Sequence, residues 1–273
     1  MFGNFSKVQF NYNNLDDLDF SNGNRFFITV IKDDMPFEFL LNIKPDSKKL
    51  IVMGSGAYNA EKMSPPIFQR YTWHDDFECS SIYYNDPTLY LGKMNLGWGY
   101  GTKDEHYIET IGAILRVMID KLHIKNENLL FYGSSGGGFT SLMLATFMKG
   151  SKALVNNPQT IITNYFKKHV LALYKTVYPD SKEDYNNIFI NHRINVTEYF
   201  KKNSYIPNIY YAQNLSCKDD VDNHLIPFIK ETSKLDENIF NKITMYYYSN
   251  VSEGHNPLDK ESTLKMIQSL LKN

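Results

Sequence analysis

Apolar residues along the chain alternate between short uninterrupted runs and stretches with helical spacing. Short apolar runs that end at Gly-, Asn- or Pro-rich turns predict strands at 25–31, 37–43, 48–59, 80–87, 128–134, 152–158, 207–214 and 243–250. Apolar residues that recur every three or four positions predict helices over 104–122, 137–150 and 257–271. Strands and helices therefore follow one another along most of the chain.

This alternation predicts the fold class. Nearly continuous apolar strands that alternate with helices are typical of a mainly parallel sheet covered on both faces, so we predict an α/β fold. The strands at 25–31 and 37–43 are separated by a short loop, and we expect them to form an antiparallel edge. Residues 159–206 break the alternation and are rich in Tyr, Lys and Asn. We interpret them as a cap inserted into a single domain that spans 1–273.

Composition narrows the functional classes. The 273 residues are 42% hydrophobic and 22% charged with a formal net charge of −1, which gives no electrostatic reason to expect nucleic acid or an anionic membrane as a partner. Cys79 and Cys217 are far apart, which excludes a disulfide framework and a zinc ribbon and is consistent with a reducing compartment. Neither a signal peptide nor a membrane-spanning apolar run is evident, so we expect a cytoplasmic protein without membrane insertion.

Residues 133–137, Gly-Ser-Ser-Gly-Gly, match the pattern G-x-S-x-G between a predicted strand and a predicted helix. A serine raised above a sheet on such a turn has strained backbone angles, and small neighbours two positions away let the strand and helix pack closely. The first N–H groups of the helix, beginning with Gly136, would stabilise an oxyanion beside Ser135. The motif predicts Ser135 as a nucleophile.

Such a serine needs a histidine as general base and a carboxylate that orients the histidine. His255 follows the last predicted strand, and Asp219, Asp220 and Asp222 follow the strand before it. In sites built on a strand–G-x-S-x-G–helix turn, the three residues follow the chain order Ser, Asp, His. We expect Asp222 to cap the next helix, which leaves Asp219 or Asp220 as the triad acid. Chemistry of this kind needs no metal or organic cofactor.

Two further features bear on this prediction. The loop at 54–57 is rich in small residues, and its Gly56 and Ala57 are candidates for a second oxyanion donor. His224 lies close to the acid loop and is the main rival to the predicted histidine; we favour a structural or pocket role for it. A phosphate-binding loop would need a lysine after Gly138, and a dinucleotide fingerprint at 54–59 would need a third glycine.

The strand–G-x-S-x-G–helix unit with a later Asp and His resembles the α/β-hydrolase fold over nearly the whole length. The segments "YGSSGGGFTSLMLA", "ALVNNPQT", "NDPTL" and "GWGYGT" are similar to hydrolase-like proteins of bacterial capsular-polysaccharide and accessory Sec secretion loci. The resemblance implies acyl-ester chemistry on a glycan or glycoconjugate, either deacetylation or acetyl transfer. Trp73, Trp98 and Tyr100 could stack on sugar rings. Aromatic residues are 15% of the chain, however, so we expect most of them in the core.

The sequence therefore predicts a serine esterase with a glycan or small-molecule ester as substrate. Three alternatives stay open: an acetyltransferase of surface polysaccharides, a non-catalytic binding or assembly protein on a hydrolase scaffold, and a nucleotide-binding enzyme. A hydrolase scaffold alone does not decide among them.

Overall fold

A computed structural model describes residues 3–235 and 242–272 and contains one nine-stranded sheet. The strands are β1 (Ser6–Asn11), β2 (Arg25–Lys32), β3 (Met35–Asn42), β4 (Leu50–Met53), β5 (Ser80–Tyr84), β6 (Leu129–Ser134), β7 (Lys152–Asn156), β8 (Asn208–Asn214) and β9 (Ile243–Tyr248). The helices are α1 (Tyr107–Lys121), α2 (Gly136–Phe147), α3 (Lys167–Val177), α4 (Tyr185–Ile188), α5 (Asn191–Ile194), α6 (Val196–Asn203), α7 (Lys218–Asp220), α8 (Ile226–Thr232) and α9 (Lys260–Lys272).

The strand order is β1-β2-β3-β5-β4-β6-β7-β8-β9, and the strands from β5 across to β9 are parallel. This arrangement confirms the predicted mainly parallel sheet. The hairpin of β2 and β3 is antiparallel, as predicted, but it does not form the edge. β1 pairs in parallel with β2 and takes the edge position. The sequence pattern does not predict β1, because the side chains of this strand are mostly exposed and polar and form no continuous apolar run.

The central strands are buried on both faces, which explains their uninterrupted apolar sequences. Along β6, Leu129 and Phe131 pack in the larger core with residues of α1 and α2. Leu130 and Tyr132 pack in a second core on the opposite face, which includes residues of α9. In the described part of the chain, no helix is both long and apolar enough to span a membrane.

The segment between β7 and β8, which the sequence predicts as a cap, carries the four helices α3 to α6. Of these, α6 packs against α2 and α8. After β8 the chain forms a helical run in which a π-helical turn, Val221–Leu225, joins α7 to α8. The carboxyl ends of β6, β7, β8 and β9 meet at one edge of the sheet, so the loops that follow them lie side by side.

Strand β6 and helix α2 approach each other at backbone distance. A Cβ atom added to Gly133 would lie 2.1 Å from the carbonyl oxygen of Gly137. A Cβ atom added to Gly137 would in turn lie 2.7 Å from the carbonyl oxygen of Gly54, which directly follows the neighbouring strand β4. These distances confirm the expectation that small residues are needed on either side of the turn at residue 135.

We expect Gly133→Ala to destabilise the protein, because the atoms that the new methyl group meets belong to the backbone and cannot rotate away. Overpacking of this kind costs about 3 kcal/mol. In a chain of this size that corresponds to a decrease in Tm of about 5 °C, which circular dichroism can follow. Gly23→Ala is the matched control, since its Cβ would meet nothing nearer than Phe26 at 3.5 Å. Equal Tm values for both variants would contradict the close approach of β6 and α2.

Candidate active site

Ser135 lies in the turn between β6 and α2 with φ 54° and ψ −125°, a conformation that is strained for a residue with a side chain. Its N–H donates to the carbonyl oxygen of Asn156 at 3.2 Å, which ties the turn to the end of β7. The N-terminal N–H groups of α2, including that of Gly136, have no partner within the helix. The turn thus combines a half-buried hydroxyl with backbone donors at the start of α2.

Three of the predicted site residues form a continuous chain of hydrogen bonds. Ser135 Oγ lies 2.8 Å from His255 Nε2, and His255 Nδ1 lies 2.8 and 2.7 Å from the two carboxylate oxygens of Asp220. Because a carboxylate only accepts, Nδ1 carries the proton and Nε2 accepts from the serine hydroxyl. Asp220 is buried, whereas about a third of the His255 side chain is exposed.

The other two aspartates of the loop lie elsewhere. Asp219 is exposed to solvent one residue before the aspartate that contacts His255. Asp222 forms an ion pair with Lys218 one helical turn earlier, and it lies inside the helical run. The expectation that Asp222 caps a helix is therefore wrong, because the helix begins before it at Lys218.

Buried asparagine side chains hold the loop that carries His255. Asn157 Nδ2 donates to the carbonyl oxygens of His255 and Asn256 at 3.2 and 3.0 Å. Asn214 Nδ2 donates to the carbonyl oxygen of Gly254 at 2.9 Å, and the N–H of Asn214 donates to Asn157 Oδ1 at 2.8 Å. The ends of β7 and β8 thus fix the histidine loop through neutral amides, a role that the sequence analysis did not assign to them.

The loop predicted to supply a second oxyanion donor lies beside the serine, since a Cβ atom added to Gly56 would be 3.7 Å from the Cβ of Ser135. The Gly56 N–H, however, donates to Gln69 Oε1 at 2.9 Å, and Gln69 Nε2 donates to the carbonyl oxygen of Ala57 at 2.9 Å. Gly56 is therefore engaged within the protein, contrary to its predicted role. The role of the Ala57 N–H stays a prediction.

Gln159 contacts Ser135 and was not assigned by the sequence analysis. Gln159 Nε2 donates to Ser135 Oγ at 3.1 Å, and the Gln159 main-chain N–H donates to the carbonyl oxygen of Ser135, also at 3.1 Å. The indole N–H of Trp98 donates to Gln159 Oε1. The only signal in the sequence was the position of Gln159 just after β7, at the edge where the other site loops begin.

Trp98 was predicted as a possible sugar-stacking residue, together with Tyr100. Trp98 is 1% exposed and Tyr100 is fully buried, so this expectation is wrong for both. The Trp98 backbone has a positive φ of 54°, and the following turn is held by Asp86, which accepts from the Gly99 N–H at 2.8 Å. Burial raises the pKa of the Asp86 carboxyl. The segments "NDPTL" and "GWGYGT" thus contact each other, and together they position the indole of Trp98 next to Gln159.

A cleft of about 260 Å³ opens beside Asp220 and His255. Burial raises the pKa of Tyr165 and, with Asp220 nearby, raises that of Cys217 to about 11. Burial also lowers the pKa of His224 to about 4, so the ring is neutral, and its Nδ1 accepts from the Thr160 N–H at 3.3 Å. This hydrogen bond and its place in the cleft wall agree with the structural or pocket role that we favoured for His224.

Within the described residues, one cluster could hold a metal ion. The ligand atoms of Cys217, Asp220 and His255 lie within 4.8 Å of one another. Thiolate, carboxylate and imidazole together would suit zinc. Two of the three residues belong to the hydrogen-bonded chain, so a metal bound there would replace the proton between His255 and Asp220.

We expect proton NMR to detect a strongly deshielded resonance from the His255 Nδ1–H, because this proton is shared with a buried carboxylate. Asp220→Asn removes the charged acceptor and should abolish the resonance. Asp219→Asn makes the same chemical change at an exposed neighbour and should retain it. Loss of the signal in Asp219→Asn alone would contradict the arrangement of these residues.

No family model matches the chain, and no curated protein matches it in sequence. Solved structures do match. The capsule O-acetyltransferase of Neisseria meningitidis serogroup A is 15% identical with a TM-score of 0.69, over 96% of this chain and 99% of that one. A mutant of that enzyme in complex with CoA is 14% identical with a TM-score of 0.64, over 99% of this chain and 100% of that one.

Acetyl xylan esterase 1 from Thermoanaerobacterium is 13% identical with a TM-score of 0.60, over 94% of this chain and 85% of that one. Likeness at such identities reports on architecture and not on reaction. The mainly parallel sheet with its helices agrees with these structures. The chain therefore has the α/β-hydrolase fold.

Proposed function

We propose that the chain is an acyl-ester enzyme that uses Ser135 as nucleophile, His255 as general base and Asp220 as the acid that orients the histidine. One observation carries the proposal: the uninterrupted chain of hydrogen bonds from Ser135 Oγ through the imidazole to the buried carboxylate. The strained turn adds support, because residues in sparsely populated backbone conformations cluster at functional sites. A non-catalytic scaffold has no need of either feature.

The reaction begins when His255 Nε2 takes the Ser135 hydroxyl proton and the serine oxygen forms a bond to the ester carbonyl carbon. The carbonyl oxygen becomes an oxyanion, next to the N–H groups that begin α2 at Gly136. When the tetrahedral intermediate collapses, the bond to the alkoxy oxygen breaks and His255 Nε2 gives its proton to the leaving alcohol. Asp220 stays ionised and stabilises the imidazolium in between.

The acyl group then leaves Ser135 by the same steps in reverse. A water molecule, or the hydroxyl group of an acceptor, gives its proton to His255 Nε2 and attacks the acyl carbon. Collapse of the second intermediate breaks the bond to Ser135 Oγ, which recovers the proton. The two outcomes are hydrolysis and acyl transfer, and the same residues serve both.

We propose an O-acetylated glycan or glycoconjugate as the substrate. The cleft beside His255 has aromatic side chains at Tyr165 and Phe166 and amide side chains at Asn164 and Asn223. Aromatic faces and hydrogen-bonding amides together suit a sugar, which has apolar ring faces and polar hydroxyl groups. Phe166 is 56% exposed and offers its ring at the rim of the cleft.

Acetyl transfer is the second candidate, favoured by the likeness over nearly the full length to a capsule O-acetyltransferase, one structure of which contains CoA. In this reaction the thiolate of an acetyl thioester would be the leaving group in the first half. The hydroxyl group of a polysaccharide would be the acceptor in the second. We regard hydrolysis and transfer as competing fates of one acyl-enzyme.

Ser135→Ala is expected to lower the rate of ester turnover by about a thousandfold or more, because it removes the attacking oxygen. Turnover of p-nitrophenyl acetate and acetate release from O-acetylated sugars measure this. A fluorophosphonate probe should label the wild-type protein and leave the variant unlabelled. Asp220→Asn should also lose most activity, whereas Asp219→Asn should stay close to wild type. Full turnover by Ser135→Ala would refute the proposal.

Acetyl transfer makes a different prediction for the wild-type protein. With acetyl-CoA as donor, release of free CoA should accelerate when a polysaccharide with free hydroxyl groups is added, and acetate should not accumulate in proportion. Mass spectrometry of the polysaccharide should show added acetyl groups. CoA release that is unaffected by any acceptor, with one acetate formed per CoA, would favour hydrolysis.

A further inference from the structure

We propose that Gln159 is a catalytic residue whose side-chain N–H donates to the oxyanion and so takes the place predicted for the Gly56 N–H. This inference rests on the proposed function, since it assigns a role within the same reaction. It concerns a residue that lies 24 positions after the serine and outside the predicted triad and oxyanion loop.

The N–H of Gly56, one of the two residues predicted to supply a second oxyanion donor, is already used within the protein. The Gly56 N–H donates to Gln69 Oε1, and the other end of the same amide donates to the carbonyl oxygen of Ala57. Gln69 therefore bridges the loop through both ends of its side chain. Freeing the Gly56 N–H for a substrate would break one of these two hydrogen bonds.

The contact with Trp98 fixes the orientation of the Gln159 amide. An indole N–H can only donate, so the end of the Gln159 amide that meets Trp98 must be the carbonyl oxygen. The NH₂ end must then face Ser135 Oγ, 3.1 Å away. Trp98 thereby settles an orientation that the shape of the amide alone leaves ambiguous. Gln159 presents a donor to the reacting oxygen.

During the reaction, negative charge develops on the former carbonyl oxygen, which is bonded to the same carbon as Ser135 Oγ. Two oxygens on the same tetrahedral carbon are closer together than the length of one hydrogen bond. A donor 3.1 Å from Ser135 Oγ can therefore reach the oxyanion when the carbonyl oxygen lies on the Gln159 side of the new bond. As the Oγ lone pair forms the bond to carbon, the N–H passes to the oxygen that now carries the charge, and no proton leaves the amide.

Gln159 is also held rigidly and shielded from solvent. Gln159 is fully buried, and its main-chain N–H donates to the carbonyl oxygen of Ser135, so the residue is attached to the serine at both ends. A fixed dipole in a site with little water stabilises charge without a cost of reorientation at the moment of reaction. The Tyr165 ring, 6.1 Å from the indole of Trp98 and 6.2 Å from the ring of His255, closes the cleft side of this group.

The strained segment around Trp98 supports the same assignment. Trp98 has a positive φ, and Asp86 and Thr88 anchor the two glycines that follow it by accepting their N–H groups. These contacts hold the indole N–H of Trp98 against the amide oxygen of Gln159 in the protein interior. Trp98 acts through Gln159 and is accordingly a positioning residue.

Gln159→Glu tests the proposal, because a carboxylate keeps the shape of the side chain and the acceptor for Trp98 but lacks the N–H donor. We expect kcat and kcat/KM for p-nitrophenyl acetate to fall together by about 100-fold or more, with KM unchanged. A protonated carboxyl can donate its O–H where the amide donated an N–H. The ratio of the variant rate to the wild-type rate should therefore rise as the pH falls.

Two further variants complete the experiment. Gln9→Glu makes the same chemical change at an exposed position of β1 and should keep wild-type rates. Trp98→Phe leaves the Gln159 amide intact but removes the donor that orients it, and should lower kcat by a smaller factor than Gln159→Glu. Thermal unfolding of each variant separates a loss of catalysis from a loss of folded protein.

The outcomes separate the two proposals. If the wild-type protein is labelled by a fluorophosphonate at Ser135 and turns over esters, while Gln159→Glu keeps kcat within about threefold, the role of Gln159 is refuted and the proposed function stands. A change in KM alone refutes it as well. If the wild-type protein is neither labelled nor active, the proposed function fails and this inference with it. Should Gln159→Glu not fold, an unchanged kcat in Trp98→Phe refutes the inference.

Discussion

The contact between strand β6 and helix α2 is the constraint on which the site depends. Ser135 has backbone angles that cost of order 1–3 kcal/mol, and such strain persists only where the surroundings leave no alternative. Gly133 and Gly137 let the two backbones meet, so the chain must turn sharply between them. Hydrogen bonds from the Ser135 N–H to Asn156 and from the Gln159 N–H to Ser135 fix the turn to the neighbouring strand end. The position of the hydroxyl follows from these contacts.

Neutral amide side chains position most of what surrounds this hydroxyl. Asn157 and Asn214 hold the loop that carries His255, Gln69 bridges the loop beside the serine, and Gln159 faces the serine itself. A buried amide both donates and accepts, so each one joins two parts of the chain in a defined orientation. Because amides do not titrate, this framework keeps its geometry over the pH range in which a histidine can change its charge. The charged group beside the imidazole is the Asp220 carboxylate, which accepts the hydrogen bond of His255 Nδ1.

Most residues that line the cleft lie on the same loops as Asp220 and His255, but three come from another segment of the chain. Ser135, Asp220 and His255 lie on the loops after β6, β8 and β9, whereas Asn164, Tyr165 and Phe166 belong to the segment between β7 and β8. Proteins that are similar in structure carry names as different as O-acetyltransferase and esterase. Common scaffolds support different reactions through their variable segments. We therefore expect the segment between β7 and β8 to contribute to substrate choice.

The sequence by itself determined the fold and the place of the site, because both depend on local patterns. Buried strands are continuous apolar runs, and parallel strands bring the loops that follow them to one edge, so Ser135 and His255 could be matched by chain order alone. Tertiary structure decided the rest. Adjacent residues of a helical turn point about 100° apart, so the choice between Asp219 and Asp220 required the direction of the helix. The meeting of Trp98 with Gln159, 61 positions apart, likewise depends on packing that no local pattern encodes.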